Sequence, residues 1–282
     1  MSRLDAMELF EVLSKVRKQQ PLVECITNFV TVNDCANILL AAGGSPTMSH
    51  DVREVEESVT AVRALVCNLG AIDRVESMIL AGKKANELGT PVVFDPVGAG
   101  AMTLRQENSA RLLHEVKFTA IRGNASEIRA LARSGSGSFG NGVDVSQMDV
   151  ITEENLSQSL EMVSQLARQT GSVIAVSGVI DVISDGSQTM VLRNGCLMMS
   201  RITGSGCMLT TLIGAFCGVE KDSFKAVCSA MAVMGICGEL ADERRLKNRT
   251  GNATFRIDLI DAVFNLNEEE FKEKIRYEIY KR

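Results

Sequence analysis

The sequence predicts an α/β protein with a central, mostly parallel sheet, helices on both faces and a C-terminal helical portion. Three observations carry this. Short strands alternate with amphipathic helices, the rhythm of βαβ units. The strands around Val66, Val92-Val93-Phe94 and Val173-Ile174-Ala175-Val176 are apolar throughout, as strands covered on both faces must be. From Cys207 onward the chain reads as mostly helical, so helices close over a finished sheet. With 45% hydrophobic residues and neither linker nor repeat, residues 1–282 are read as one domain.

Leu9, Phe10, Leu13 and Val16 share one helical face, and Gln20-Pro21 ends that first helix. A strand over 22–26 and a helix over 30–42 follow, the helix closed by Gly43-Gly44. Next come a helix over 51–62, a strand over 64–68 and a helix over 72–88 with Gly89 at its end. The strand 91–95, helix 103–115, strand 118–122 and helix 125–133 continue the alternation. A polar, glycine-rich stretch over 134–147 interrupts it before the helix 153–170 feeds the strand 172–177. Asp185-Gly186 supplies the turn of a hairpin between 181–184 and 189–193. An apolar run over 208–219 reads as a buried helix. Phe271, Ile275 and Ile279, spaced by four, predict an amphipathic helix running to the C-terminus.

Composition excludes several classes of function. A net charge of −5, 4% aromatic residues and no tryptophan argue against nucleic acid or an anionic membrane as partner. The eight cysteines include no CxxC pair and sit mostly in apolar segments, as core thiols of a reducing compartment do. His50 and His114 are too few for His-based triads or His-rich metal sites. Met1-Ser2-Arg3-Leu4-Asp5 leads straight into the first helix with no signal-peptide pattern, and the apolar runs fall short of a membrane span. The expectation is a soluble cytoplasmic protein.

The chemistry gathers around Ile202-Thr203-Gly204-Ser205-Gly206-Cys207. Two glycines directly before an apolar helix let a ligand approach the main chain. The first amides of that helix lack internal partners and carry its dipole, which together favour an anion such as phosphate. Cys207 is the first side chain beyond the second glycine. In open α/β sheets ligands bind beyond the carboxyl ends of the strands, where this chain places Asn28, Asn68, Asp95, Asn124 and Ser177. Asp95-Pro96-Val97-Gly98-Ala99-Gly100 is the richest of these ends. Arg122-Gly123-Asn124 with Glu127 is the next, and it carries two readings. Asn124 and Glu127 can cap a helix that starts at Ala125, or Asp95 and Glu127 can be outer ligands of a hydrated Mg²⁺. Gly135-Ser136-Gly137-Ser138-Phe139-Gly140 fits GxGxxG in letters only, since no strand precedes it and no helix follows. No GxxxxGK[ST] is present.

Taken together, these elements resemble the ribokinase-like kinases and, within them, the hydroxyethylthiazole kinases of thiamine biosynthesis. The resemblance runs along nearly the whole chain: Cys25-Ile26-Thr27-Asn28, residues 42–48, 95–101 and 121–128, Ser177-Gly178 with Asp181-Val182-Ile183, and residues 203–209. Relatives in the superfamily usually carry aspartate at the position of Cys207, whereas cysteine is typical of the thiazole kinases. The resemblance implies an ATP- and Mg²⁺-dependent kinase that phosphorylates the primary hydroxyl of 4-methyl-5-(2-hydroxyethyl)thiazole. It implies that Gly204, Ser205, Gly206 and Cys207 form the anion hole for the transferred phosphoryl group. Arg122 and Ser177 would contact ATP, Asp95 and Glu127 would organise magnesium, and Met48, Asn28 and Gly204 would border the thiazole. It also implies a homotrimer with sites between subunits. Two departures stand out: Gly251-Asn252-Ala253-Thr254-Phe255 replaces a Gly-Pro-Gly-type element, and Gly142-Val143-Asp144-Val145 replaces the usual Gly-Val-Asp-Ser.

A free thiol titrates near about 8.5 and lower at a helix N-terminus, while a neighbouring triphosphate disfavours thiolate. Cys207 is therefore expected to orient the hydroxyl, with modest assistance as a base. The rival readings are a related kinase for hydroxymethylpyrimidine or pyridoxal, which the cysteine disfavours, and a nucleotide-binding protein without catalysis.

Overall fold

The computed structural model describes residues 4–134 and 150–281. The GxGxxG look-alike and the Gly142–Val145 departure lie outside the described residues. Among those described, nine strands form one sheet in the order β2-β1-β3-β4-β5-β6-β7-β8-β9. The strands are β1 (Leu22–Ile26), β2 (Ser45–Thr47), β3 (Ala64–Asn68), β4 (Val92–Asp95), β5 (Ala120–Asn124), β6 (Val173–Ser177), β7 (Asp181–Ser184), β8 (Gln188–Leu192) and β9 (Tyr277–Lys281). Pairing is parallel from β2 to β6 and antiparallel from β6 to β9.

Two apolar cores flank the sheet. One is covered by α1 (Ala6–Gln19), α2 (Val32–Ala42), α8 (Ser205–Cys217), α9 (Ser223–Asn248), α10 (Asn252–Asn265) and α11 (Glu268–Lys274). The other lies under α3 (Val55–Ala61), α4 (Val75–Leu88), α5 (Thr103–Glu115), α6 (Ala125–Ser134) and α7 (Leu156–Thr170). Strand residues alternate between the cores: Val66, Val93, Ala120 and Ala175 face the first, and Leu65, Cys67, Phe94, Ile121 and Ile174 face the second.

Most elements lie where periodicity and punctuation put them. Gln20 ends α1 in the left-handed region at φ 48°, and Gly43, Gly89 and Gly171 do the same for α2, α4 and α7. β5 sits two residues later than expected, which brings Gly123 and Asn124 into the strand.

The predicted terminal helix is corrected. The chain is helical only to Lys274 and then becomes β9, which pairs antiparallel with β8. Arg276 decides the change, because its N–H donates to Asn194 Oδ1 at 2.8 Å and its guanidinium engages Glu239 and the Arg193 carbonyl. Tyr277 and Ile279 then alternate toward the first core. The reading that every apolar run is too short for a membrane is also corrected. By length and composition α9 could cross one, yet nearly all of its apolar window is buried inside the fold. It is the helix on which the antiparallel half of the sheet rests.

Candidate functional site

Strand parity builds the site. Asn68, Asp95, Arg122 and Ser177 each lie two residues beyond Val66, Val93, Ala120 and Ala175, so they point to the side on which α8 packs. The parallel pairing sets Asn68 beside Asp95 and Asn124 beside Ser177, with Arg122 two residues earlier on the same face, beside Ala175. The amino end of α8 faces this row. Gly204 caps it in the left-handed region at φ 83°, where a Cβ would strike Thr31 Cγ2 at 2.6 Å. The first internal bond of the helix is Met208 N–H to the Gly204 carbonyl at 2.8 Å. The N–H groups of Ser205, Gly206 and Cys207 therefore precede the helical ladder and point forward, as an anion site requires.

Arg122 is packed against that turn. A Cβ at Gly206 would meet the Arg122 guanidinium carbon at 3.0 Å, so only glycine leaves room for it. One guanidinium nitrogen donates to Ser177 Oγ, and another lies 3.5 Å from Asp95 Oδ2. Its Nε is buried without a partner. Asp95 is fully buried, and Oδ2 accepts from Thr210 Oγ at 2.7 Å and from Asn68 Nδ2 at 3.1 Å. Oδ1 is buried and unpartnered. Burial, with a smaller push from the Glu127 charge, raises the Asp95 carboxyl to about 6 against the pull of Arg122 and Thr210.

Cys207 closes the network. Its Sγ receives Asn68 Nδ2 at 3.3 Å and Asn28 Nδ2 at 3.5 Å, while Asn28 Nδ2 also reaches Asn68 Oδ1 at 3.3 Å. The thiol is pushed up, by burial first and then by the Asp95 charge, against the opposing pull of Thr31, Asn68 and Arg122. The helix terminus thus does not win at this cysteine, and the thiol keeps its proton at neutral pH.

The capping reading of Asn124 and Glu127 is met in full. Glu127 N–H donates to Asn124 Oδ1 at 2.9 Å, and Asn124 N–H donates to Glu127 Oε2 at 2.8 Å. Glu127 Oε1 accepts from Gly98 N–H at 2.9 Å, which ties the loop after Asp95 to α6. This arrangement leaves the metal reading open. Among the described residues, no three or more His, Cys, Asp and Glu side chains gather to hold an ion. Hydrated Mg²⁺ needs only one or two carboxylates with phosphate oxygens. The free Asp95 Oδ1, beside a Glu127 close enough to perturb it, fits that demand.

A cleft of about 850 Å³ opens on the anion turn and is lined there by Arg122, Asn124, Ser177, Ser205 and Gly206. Cys207, Asn28 and Asp95 lie on the inner side of the turn, outside that lining. Met48 follows β2 at the same carboxyl edge and packs against the first core, away from the cleft. The sequence places Asn68 at a strand end without showing its partner, and it gives no role to Thr210 or Thr31. Thr210 was within reach, since it lies three residues beyond Cys207 and so on the same helix face. Thr31 was not, because only the folded chain brings α2 to Gly204.

The comparisons with known proteins agree with this geometry. Residues 13–269 match the model of the hydroxyethylthiazole kinase family. The chain is 47% identical over 268 residues to hydroxyethylthiazole kinase of Clostridium beijerinckii, covering 94% of this chain and 95% of that one. It is 46% identical over 275 residues to that of Clostridium acetobutylicum, covering 96% and 100%. The solved hydroxyethylthiazole kinase protein of Pyrococcus horikoshii superposes with a TM-score of 0.85 at 33% identity, covering 97% and 99%. Pyridoxal kinase from Staphylococcus aureus superposes at a TM-score of 0.60 and 16% identity, a likeness of fold alone. The fold is ribokinase-like, and the chain belongs to the hydroxyethylthiazole kinase family.

Proposed function

We propose that the protein transfers the γ-phosphoryl group of Mg-ATP to the primary hydroxyl of 4-methyl-5-(2-hydroxyethyl)thiazole. The observation that carries this reading is the convergence of the forward amides of Ser205–Cys207, the Arg122 guanidinium and the Cys207 thiol at one helix end. Phosphoryl transfer needs alignment and charge stabilisation more than covalent chemistry. The amides and Arg122 supply positive potential to the transferred group, and the unpartnered Nε of Arg122 is a donor in waiting. Ser177 holds the guanidinium on its other side. Asp95 and Glu127 would hold magnesium through its waters, and the ion would add charge neutralisation on the phosphates.

Asn28, Gly204 and Met48 border the acceptor side, with Asn28 and Asn68 fixing the thiol against which the alcohol lies. A protonated Cys207, bound by two carboxamides, is suited to orient the hydroxyl and poorly suited to be a strong base. Phe29 and Val30, 91% and 57% exposed beside Asn28, support a homotrimer in which a neighbouring subunit covers the acceptor side. The proposed setting is the cytoplasm.

An acceptor panel tests the substrate. With Mg-ATP, the hydroxyethylthiazole is expected to yield its phosphate monoester far faster than hydroxymethylpyrimidine or pyridoxal. Preference for either of those alcohols would reassign the chain within the superfamily.

A further inference from the structure

The half of the cleft remote from the anion turn has a different character. Its wall is Met199, Met231, Met234, Leu197, Val179 and Ile151. With phosphates on the turn, this wall receives the nucleobase of the donor. Among the described residues, the polar side chains around it are already committed to the fold. Asn194 Nδ2 donates to the Glu239 carboxylate at 3.2 Å and to the Lys274 carbonyl at 2.8 Å, while its Oδ1 accepts Arg276 N–H. Gly195 N–H is held by Glu239 Oε1 at 2.8 Å, Ser200 Oγ by the Leu197 carbonyl at 2.8 Å, and Cys196 Sγ by the Gly238 carbonyl at 3.2 Å. Met231, Met234 and Gly235 belong to α9, whose backbone groups are spent within the helix. Asp181, the one acid among the described residues of the cleft lining, accepts Gly178 N–H and lies in the field of Arg122, at the phosphate end.

We infer that this wall holds the base by shape and sulfur contact alone, so the protein takes its phosphoryl group from purine and pyrimidine nucleoside triphosphates alike. Methionine side chains are flexible and polarisable, and they adapt to different ring outlines. Leu197 and Val179 are 81% and 66% exposed, so the base edge also meets water, which satisfies the polar groups of any base. An apolar pocket separates close analogues by only about 10²-fold, whereas a pocket built to hydrogen-bond an edge reaches about 10⁴–10⁵-fold.

The inference rests on the proposed reaction only in placing phosphates at the anion turn. The test is displacement of a fluorescent ADP analogue from the protein by ADP, GDP, IDP, CDP and UDP with Mg²⁺, without any acceptor. Dissociation constants within about 10²-fold of one another are expected, and a wider preference for ADP would overturn the inference. Met199→Ala is expected to weaken all five by a common factor, and loss confined to ADP would point to base-specific contacts instead. If the diphosphates bind alike yet none of the corresponding triphosphates supports thiazole phosphorylation, the proposed reaction fails while the unselective base wall stands. If none binds, both fail.

Discussion

The two ends of the cleft are built on opposite plans. At the anion turn, side chains from four parallel strands and one helix converge on a small volume, and two of their polar atoms, Asp95 Oδ1 and Arg122 Nε, are buried without partners. At the far wall, the polar side chains are turned into the fold and an apolar surface remains. Unsatisfied buried polar groups cost stability, so a fold that retains them at one end and removes them at the other concentrates its discrimination where bonds break. The phosphoryl end reads charge and direction, and the base end reads bulk.

Substitutions sharpen that contrast. Arg122→Ala should have the largest effect, lowering turnover by about 10³-fold or more, because it removes the cation beside the transferred group. It should also lower the melting temperature, because buried Asp95 loses its cation, and steady-state kinetics on the folded variant beside a thermal melt separates the two effects. Gly206→Ala should cost about 10²–10³-fold, the scale for losing an aligned backbone donor, since its Cβ displaces the guanidinium. Cys207→Ala should cost only about tenfold, below the roughly 10²–10⁴-fold of a true general base. A loss equal to that of Gly206→Ala would refute the orienting role, and Cys207→Asp should stay active, since aspartate serves in relatives.

The smallest effect is on stability. Burial raises Asp181 to about 7, opposed by Gly178 N–H and Arg122. The folded state thus binds this proton more tightly than the unfolded chain, whose aspartates titrate near about 3.9. Its stabilising contribution is present at low pH and is lost as pH rises through about 7. Asp181→Asn should therefore flatten the fall of the melting temperature between about pH 4 and 7. An unchanged slope would show that Asp181 is not the group titrating.

Much of this was legible in the chain because local signals and the final packing agree. Alternating apolar strands fixed the parallel half, and the spacing of Asn124 and Glu127 anticipated the capping box that the fold forms. The anion turn was readable from two glycines before an apolar run. The remainder depends on contacts distant in sequence. Ile275 and Ile279 fit a helical repeat, but Tyr277 between them fits a strand, and the open edge of β8 together with the contacts of Arg276 decides. β2 is three residues long and exists because β1 offers it an edge. The thiol of Cys207 would titrate low by helix position alone, but burial in the folded chain, with the Asp95 charge brought in by β4, pushes it up instead.

The most direct test is a coupled ADP assay on the purified protein with 4-methyl-5-(2-hydroxyethyl)thiazole, Mg²⁺ and ATP, omitting each in turn. ADP release should require all three together. Release that never rises above background with the thiazole, or that proceeds at the same rate without it, would contradict the assignment.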